Sequence, residues 1–263
     1  MNCEFKFTVA ELTGFIAYTL AVLFFFVHAD WLIWPLVFFL TVCFIAIFLP
    51  GFGFFLPIIS RGKTGTNAIA ITFDDGPDPV STPKLLALLQ KYNINVTFFV
   101  IGEKVSRYPE LIHQIISHGH AIGNHSYSHD LFLMLKKSSY IQKEIQMTQE
   151  ILFKLGIKPL VFRAPVGITN PRLHQILKEL NLYAVNFSCK ANDFGNRRIN
   201  GLSQKILHKL KPDAIVLLHD ACPNNPSLLS EWLNEIEKIL TGIQHKGFIV
   251  LPLSEIIHRE VMI

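Results

Sequence analysis

Hydrophobic positions along the chain follow three different patterns. Residues 12–27 and 31–50 are nearly unbroken apolar runs separated by His28-Ala29-Asp30, and Asp30 is the only formal charge from residue 12 to 57. Runs of that length predict two helices, over about 12–28 and 31–50, each able to cross a hydrocarbon core of roughly 30 Å. Trp31 and Trp34 beside the break suit a tight loop at a membrane interface. A polar stretch, 61–66, follows. Beyond it, apolar runs of strand length at 68–73, 95–100, 120–123, 160–162, 182–187, 214–218 and 248–251 alternate with helical periodicity at 82–92, 108–118, 138–155, 171–180, 202–210 and 227–245. Seven strands with crossover helices predict an α/β domain of parallel strands, either a barrel or an open sheet, with its active site at the carboxyl ends of the strands. The expected organisation is a membrane-spanning hairpin over 1–60, a linker over 61–66 and a globular domain over 67–263.

Composition sharpens this picture. Of 263 residues 50% are hydrophobic and only 17% charged, too apolar for a plain soluble domain, and the excess lies at the front. A cleaved signal peptide is the rival reading of the first run, because Lys6 precedes it and Val27-His28-Ala29 resembles a cleavage site. The second apolar run directly behind it favours a hairpin. Lys6 precedes the first span, Arg61 and Lys63 follow the second, and the intervening loop has no base. The positive-inside rule then places both ends and the globular domain in the cytoplasm of a two-span membrane protein. Residues 1–60 carry a net charge of −2 and the remainder +6, which suits a domain close to anionic lipid or an acidic substrate. No Lys/Arg run exceeds two residues and no nucleic-acid module is present, so no nucleic-acid partner is expected. Cys3, Cys43, Cys189 and Cys222 form no C-x-x-C pair or zinc-finger spacing.

The expected strand ends carry an unusual concentration of ionisable groups. The first ends in Asp74-Asp75, the third runs into Asn124-His125-Ser-Tyr-Ser-His129, the fourth into Arg163-Ala-Pro165-Val-Gly167, the fifth into Asp193-Phe194 and the sixth into His219-Asp220. His125 and His129, four apart, would point the same way from one helical turn. Two imidazoles and one carboxylate form a three-ligand site with an open position, the arrangement of catalytic zinc, which acidifies bound water and polarises the carbonyl of an amide or ester. An aspartate doublet lets one carboxylate bind the metal while the other takes the proton of the attacking water. Arg163 would hold that second carboxylate ionised by charge-assisted hydrogen bonds. His219 would protonate the leaving amine, with Asp193 favouring its charged form.

TFDDGP at 72–77, HSYSH at 125–129, RAPVG at 163–167, the Asp193-Phe194 pair and LLH at 217–219 resemble, in order and spacing, the five motifs of the polysaccharide deacetylases. These are the NodB-homology proteins of carbohydrate esterase family four, and the resemblance covers about residues 67–255. It implies a distorted (β/α) barrel of about seven parallel strands that removes acetyl groups from amino sugars of chitin, peptidoglycan and related glycans, or from xylan. Carried over by motif, Asp74 resembles the catalytic base, and Asp75, His125 and His129 the ligands of a divalent metal, usually Zn2+. Arg163 resembles the partner of the base, Asp193 the residue that tunes the acid, and His219 the general acid. Pro165 would shape the groove and Leu217 would line a pocket for the acetyl methyl. Two departures bear on substrate. Lys190-Ala-Asn-Asp193-Phe194 stands where the family has D-x-x-D-W, and Val166 stands where an aromatic usually follows the proline. The backbone N–H of Val166, which the family uses to hold the oxyanion, survives any side chain.

The expected activity is hydrolysis of the N-acetyl group of an amino sugar in a glycan or lipid-linked precursor, by a membrane-anchored enzyme. Two alternatives carry different functions: an inactive glycan-binding membrane protein on the same fold, and a hydrolase of non-sugar amides or formyl groups.

Overall fold

A computed structural model describes residues 7–49, 51–223 and 225–263. Cys3, Glu4 and Lys6, and Pro50 at the end of the second predicted span, lie outside them. Helices α1 (Val9–Val27) and α2 (Ile33–Ile47) form the predicted antiparallel pair, joined through a 3-10 turn, Ala29–Trp31. Thr8 and Glu11 make a capping box that satisfies the first amide groups of α1. Most of the pair is bare apolar surface: Phe15, Phe26 and Phe38 are 70, 79 and 70% exposed. Each apolar helical stretch has 19 residues, counting the 3-10 turn with the second, about 28 Å of helix at roughly 1.5 Å per residue.

The domain then runs β1 (Ile58–Ile59), β2 (Ala68–Asp74), α3 (Ser81–Lys91), β3 (Thr97–Val100), α4 (Gly102–Arg107), α5 (Pro109–Ser117), β4 (Ala121–Asn124), α6 (Ser138–Lys154), β5 (Val161–Phe162), α7 (Pro171–Glu179), β6 (Tyr183–Val185), β7 (Cys189–Lys190), α8 (Leu202–Lys209), β8 (Ile215–His219), α9 (Leu229–His245), β9 (Ile249–Val250) and α10 (Leu253–Ile257). All seven predicted strands are present. Two further strands of two residues each, β1 and β7, were not expected: β1 lies within the stretch read as hairpin, and β7, Cys189-Lys190, has no apolar run around it. The short helices α4 and α10 were not foreseen either. Every strand pairing is parallel, in the order β1-β6-β5-β4-β3-β2-β8-β7, with β9 beside β2. The sheet curls into an incomplete barrel. The chain after β1 crosses the remaining gap, where Arg61 bridges Ala214 and the Gly62 N–H donates to the Asp213 carbonyl at 2.8 Å.

Two details bear on the expected boundaries. Ile58–Ile59, within the stretch read as hairpin, is a strand of the sheet in register with Ala184 and Val185. The polar stretch 61–66 is fastened down: Asp213 accepts from the Thr64 N–H and hydroxyl and from the Gly65 N–H.

Alternation along the strands decides what reaches the site. All of β2 is buried, because one face meets helices and the other the barrel interior, so the strand reads as a continuous apolar run. Ile69, Ile71 and Phe73 join the layer containing Leu85, Ile112 and Trp232, whereas Ala68 and Ala70 join Phe99, Val185, Ile215 and Leu217 inside the barrel. Continuing by twos, the interior positions of β2 are Thr72 and Asp74, and that of β8 after Leu217 is His219. Asp74 and His219 are register partners. The same parity that buries alanine at the foot of β2 therefore delivers a carboxylate to its top.

Gly123 in β4 lets Phe99 lie flat across the interior. A Cβ there would stand 2.6 Å from two atoms of that ring and 2.9 Å from Val161, and the other contact of the ring is the Arg163 guanidinium at 3.9 Å. Gly123→Ala is expected to lower the unfolding free energy by about 1–3 kcal/mol through overpacking, measured by urea denaturation.

Candidate active site

Arg163 is fully buried, and its guanidinium is held from three sides. Nη1 donates to Asp74 Oδ1 at 2.6 Å and to Thr72 Oγ1 at 2.8 Å, Nε to the Val185 carbonyl at 3.1 Å, and Nη2 to the Asn186 carbonyl at 3.1 Å. Asp74 Oδ2 lies 3.8 Å from His125 Nε2 on the other side. Asp74 thus has one oxygen committed to the arginine and one turned toward the imidazoles.

Asp75 leaves the strand at once. Its φ of 72° places it in the left-handed region, which swings its carboxylate away from that of Asp74. Its Oδ1 faces His129 Nε2 at 3.1 Å and His125 Nε2 at 3.5 Å. His125 and His129 do not lie on a helical turn as expected. They sit in the loop after β4, where Ser126 and His129 have φ of 66° and 55°; the imidazoles converge because the loop reverses twice. His125 Nδ1 meets the Arg163 carbonyl at 2.8 Å, so that nitrogen carries the proton and Nε2 keeps its lone pair.

One oxygen and two nitrogens therefore point at a common centre, all within 4.8 Å of one another. Asp75 Oδ1 is buried with no aligned hydrogen-bond donor, an orphaned acceptor that costs stability unless a cation sits against it. Burial works to raise the Asp75 pKa, but the facing His125 and His129 outweigh it and hold the carboxyl well below its usual range. The donor set fits a divalent metal of the zinc class.

His219, beside Asp74 on the adjacent strand β8, has Nδ1 2.7 Å from Asp193 Oδ2, and Asp193 is almost fully buried. Burial works to lower the His219 pKa, but the Asp193 hydrogen bond, with Asp75 and Asp74 beyond it, outweighs that and raises it to about 9. Pro165 and Val166 lie in a 3-10 turn beside Arg163, where Val166 has a φ of 61°. Val166 and Phe194 are 54 and 59% exposed, whereas Leu217 is buried in the barrel interior. Lys190 stacks its ammonium 5.2 Å from the Phe187 ring.

The family sequence profile described as polysaccharide deacetylase matches residues 61–185. A peptidoglycan-N-acetylglucosamine deacetylase of Bacillus cereus is 34% identical over 194 residues, covering 73% of this chain and 89% of that protein. The chain belongs to the polysaccharide deacetylase family. It is accordingly a hydrolase, and its parallel, curled α/β fold is the one the motifs implied. A chitooligosaccharide deacetylase of Azorhizobium caulinodans is 31% identical over 203 residues, covering 74% of this chain and 96% of that protein. Among solved structures, a peptidoglycan N-acetylglucosamine deacetylase in complex with 4-naphthalen-1-yl-N-oxidanyl-benzamide superposes with a TM-score of 0.70 at 28% identity, covering 78% of this chain and 94% of that one.

Several supports of the candidate site escaped the sequence reading. Asp220, noted there only as the residue after His219, is fully buried. Its carboxylate accepts from Ser81 Oγ at 2.7 Å and Thr82 Oγ1 at 2.5 Å, and its N–H donates to the Asp74 carbonyl at 2.7 Å. Burial raises its pKa to about 6 against those hydroxyls. Gly76 follows the doublet because a Cβ there would meet Asp220 Oδ2 at 2.6 Å. Glu144 accepts from the Ser128 N–H and hydroxyl at 2.8 and 2.9 Å, fixing the loop between the two imidazoles. A signal for it existed: Glu144 shares the buried face of α6 with Ile141, Ile145, Thr148 and Leu152. Asn196 donates to the His219 and Ala221 carbonyls, with no comparable mark in the sequence.

The His219–Asp193 pair has a pH signature. The folded-state value of His219 lies above its ordinary 6.5. Its contribution to stability is therefore fully present below about pH 6.5 and is lost as pH rises through about 9. In protein stripped by a chelator, urea denaturation is expected to show Asp193→Asn less stable than the parent near pH 6, the difference shrinking above about pH 9.

Proposed function

We propose that this chain is a membrane-anchored, divalent-metal-dependent deacetylase that hydrolyses the N-acetyl group of an amino sugar in a glycan or lipid-linked glycan precursor. The observation that carries the reading is the convergence of buried Asp75 Oδ1, which has no aligned hydrogen-bond donor, with two imidazole nitrogens, next to a second carboxylate held by a buried arginine. Asp75 Oδ1, His125 Nε2 and His129 Nε2 would hold the cation, Zn2+ by the nature of the donors. When bound, the metal supplies Lewis acidity to polarise the amide carbonyl and acidify the attacking water.

The chain's own groups divide the remaining work. Asp74 Oδ2, the oxygen free of Arg163, takes the proton of the attacking water as general base. Arg163 fixes Oδ1 and so aims Oδ2. His219, whose Nδ1 is engaged by Asp193, presents Nε2 to the leaving amine and protonates it; its raised pKa keeps that proton available at neutral pH. The Val166 N–H, on a turn whose positive φ lifts the peptide toward the groove, receives the developing oxyanion. Leu217 supports the acetyl methyl from the barrel interior. Pro165 and Phe194 flank the sugar, with Phe194 stacked near Arg198 at 5.1 Å. Asp75→Ala is expected to abolish stoichiometric metal uptake. Asp74→Asn should keep the metal and lose about 10²–10⁴-fold in rate, read as metal content and acetate release from N-acetylated chitooligosaccharides. Full activity in either variant would overturn these roles.

Helices α1 and α2 serve as the two spans. Their bare apolar surfaces support that reading, and Arg61 and Lys63, set against a loop without a base, support a cytoplasmic catalytic domain. In that orientation the substrate is an amino sugar carried on lipid at the inner leaflet. Lys63→Cys is expected to resist an impermeant thiol reagent in intact cells and to react once they are broken; labelling of intact cells would place the domain outside.

A further inference from the structure

The loop carrying His129 continues into Asp130-Leu131-Phe132-Leu133-Met134-Leu135-Lys136-Lys137, a stretch with no part in the chemistry described above. A 3-10 turn, Leu133–Leu135, fixes its backbone, and its apolar side chains divide sharply. Leu133 and Met134 are buried, whereas Leu131, Phe132 and Leu135 are 58, 65 and 77% exposed. Three large apolar side chains presented together from an ordered loop need a partner.

The buried half of the loop shows where that partner lies. Leu133 and Met134 belong to the same hydrophobic cluster as Ala46 of α2, with Ala10, Val42, Cys43 and Ile47 of the hairpin packed against it. The Ala10 N–H also donates to the carbonyl of buried Phe54 in that cluster, at 2.9 Å. The hairpin is therefore seated on the domain through the start of α1 and the end of α2, and the 131–135 loop shares that seat. The exposed half, Leu131, Phe132 and Leu135, immediately adjoins in the chain the two buried residues of that cluster. Lys136 and Lys137 follow it on the surface. Asp130 is 3.6 Å from Lys136, and exposed Arg172 reaches the Met134 carbonyl at 3.0 Å. Exposed leucine and phenylalanine followed by two lysines, with Arg172 nearby, suit a segment that lies in the interface of an anionic bilayer.

We propose that residues 131–135 form a second membrane contact, with Leu131, Phe132 and Leu135 inserted among anionic phospholipids beside the hairpin. The inference rests on the hairpin being the anchor proposed above. It deepens the functional reading, because His129 stands two residues before the inserted loop. The catalytic rim is thereby held at the bilayer surface, where it meets amino sugars carried on lipid.

Photoreactive diazirine side chains test this when placed singly at Leu135, at Phe38 in mid-α2 and at Glu150 on α6. The full chain would be reconstituted into vesicles of phosphatidylethanolamine and phosphatidylglycerol. Lipid adducts at Leu135 and Phe38 with none at Glu150 are the expected result. Adducts at Phe38 but not at Leu135 overturn the loop contact and leave the anchor standing, whereas no adduct at either position removes the anchor and the proposal with it. Cross-linking of Leu135 to a second copy of the chain would assign the patch to a dimer and likewise overturn it. In the same vesicles, replacing Leu131, Phe132 and Leu135 together by Ser is expected to cost about tenfold in kcat/KM on a lipid-anchored N-acetyl amino sugar. The rate on soluble chitooligosaccharide should be unchanged; equal losses on the two substrates would overturn the contact's role.

Discussion

The buried pair of Arg163 and Asp74 is the constraint around which the site is assembled. Dehydrating a guanidinium and a carboxylate together costs several kcal/mol for each ion, and attraction alone offsets this only when the remaining donors and lone pairs are also engaged. Here they are. Thr72 and Asp74 come from β2, Val185 and Asn186 from the end of β6, and the Phe99 ring beneath the guanidinium from β3. Arg163, at the end of β5, ties β2 to β6, strands that are not neighbours in the sheet, through the barrel interior. Its own carbonyl fixes the His125 tautomer, so one residue orients both the base candidate and a ligand candidate.

How much of this was legible depends on how each feature is encoded. Strands buried on both faces announce themselves as apolar runs, which is why β2, β3 and β8 read clearly. Strands β1 and β7 owe their conformation to neighbours across the sheet rather than to their own residues. Strand-end positions brought one aspartate of the doublet to the rim of His125 and His129, and the family motifs singled out Asp75, the carboxylate that faces both imidazoles. The helical turn assigned to the two histidines was not real, because four-residue spacing also suits a loop with two left-handed residues, and Ser126 and His129 adopt that conformation. Asp220 and Asn196 were invisible for another reason: each acts through backbone and hydroxyl partners distant in sequence, and short-range patterns carry no trace of them.

The hairpin and the site, read separately in the sequence, share a structural junction. The cluster holding Ala46 of α2 also holds Phe54, Phe55 and Leu56 of the connecting segment, Leu133 and Met134 of the loop after the histidines, and Ala164 next to Arg163. The apolar helix pair shares this cluster with segments that lead into the rim loops, so its placement relative to the site is set by side-chain packing and not by linker length.

The aspartate doublet shows how adjacent residues acquire opposite duties. Two carboxylates side by side at a strand end raise the cost of ionising each other, and an extended continuation would have sent them to opposite faces of the sheet. The left-handed backbone at Asp75, with Gly76 behind it leaving room for Asp220, keeps the second carboxylate at the rim while separating its partners from those of the first. Asp74 is paired with Arg163, whereas Asp75 Oδ1 faces the imidazoles of His125 and His129. Each carboxylate thus meets a different set of groups, and an oxygen of Asp74 remains turned toward the shared centre. The turn residues that look like ordinary punctuation in the sequence therefore convert one patch of like charge into two differently partnered carboxylates at a single rim.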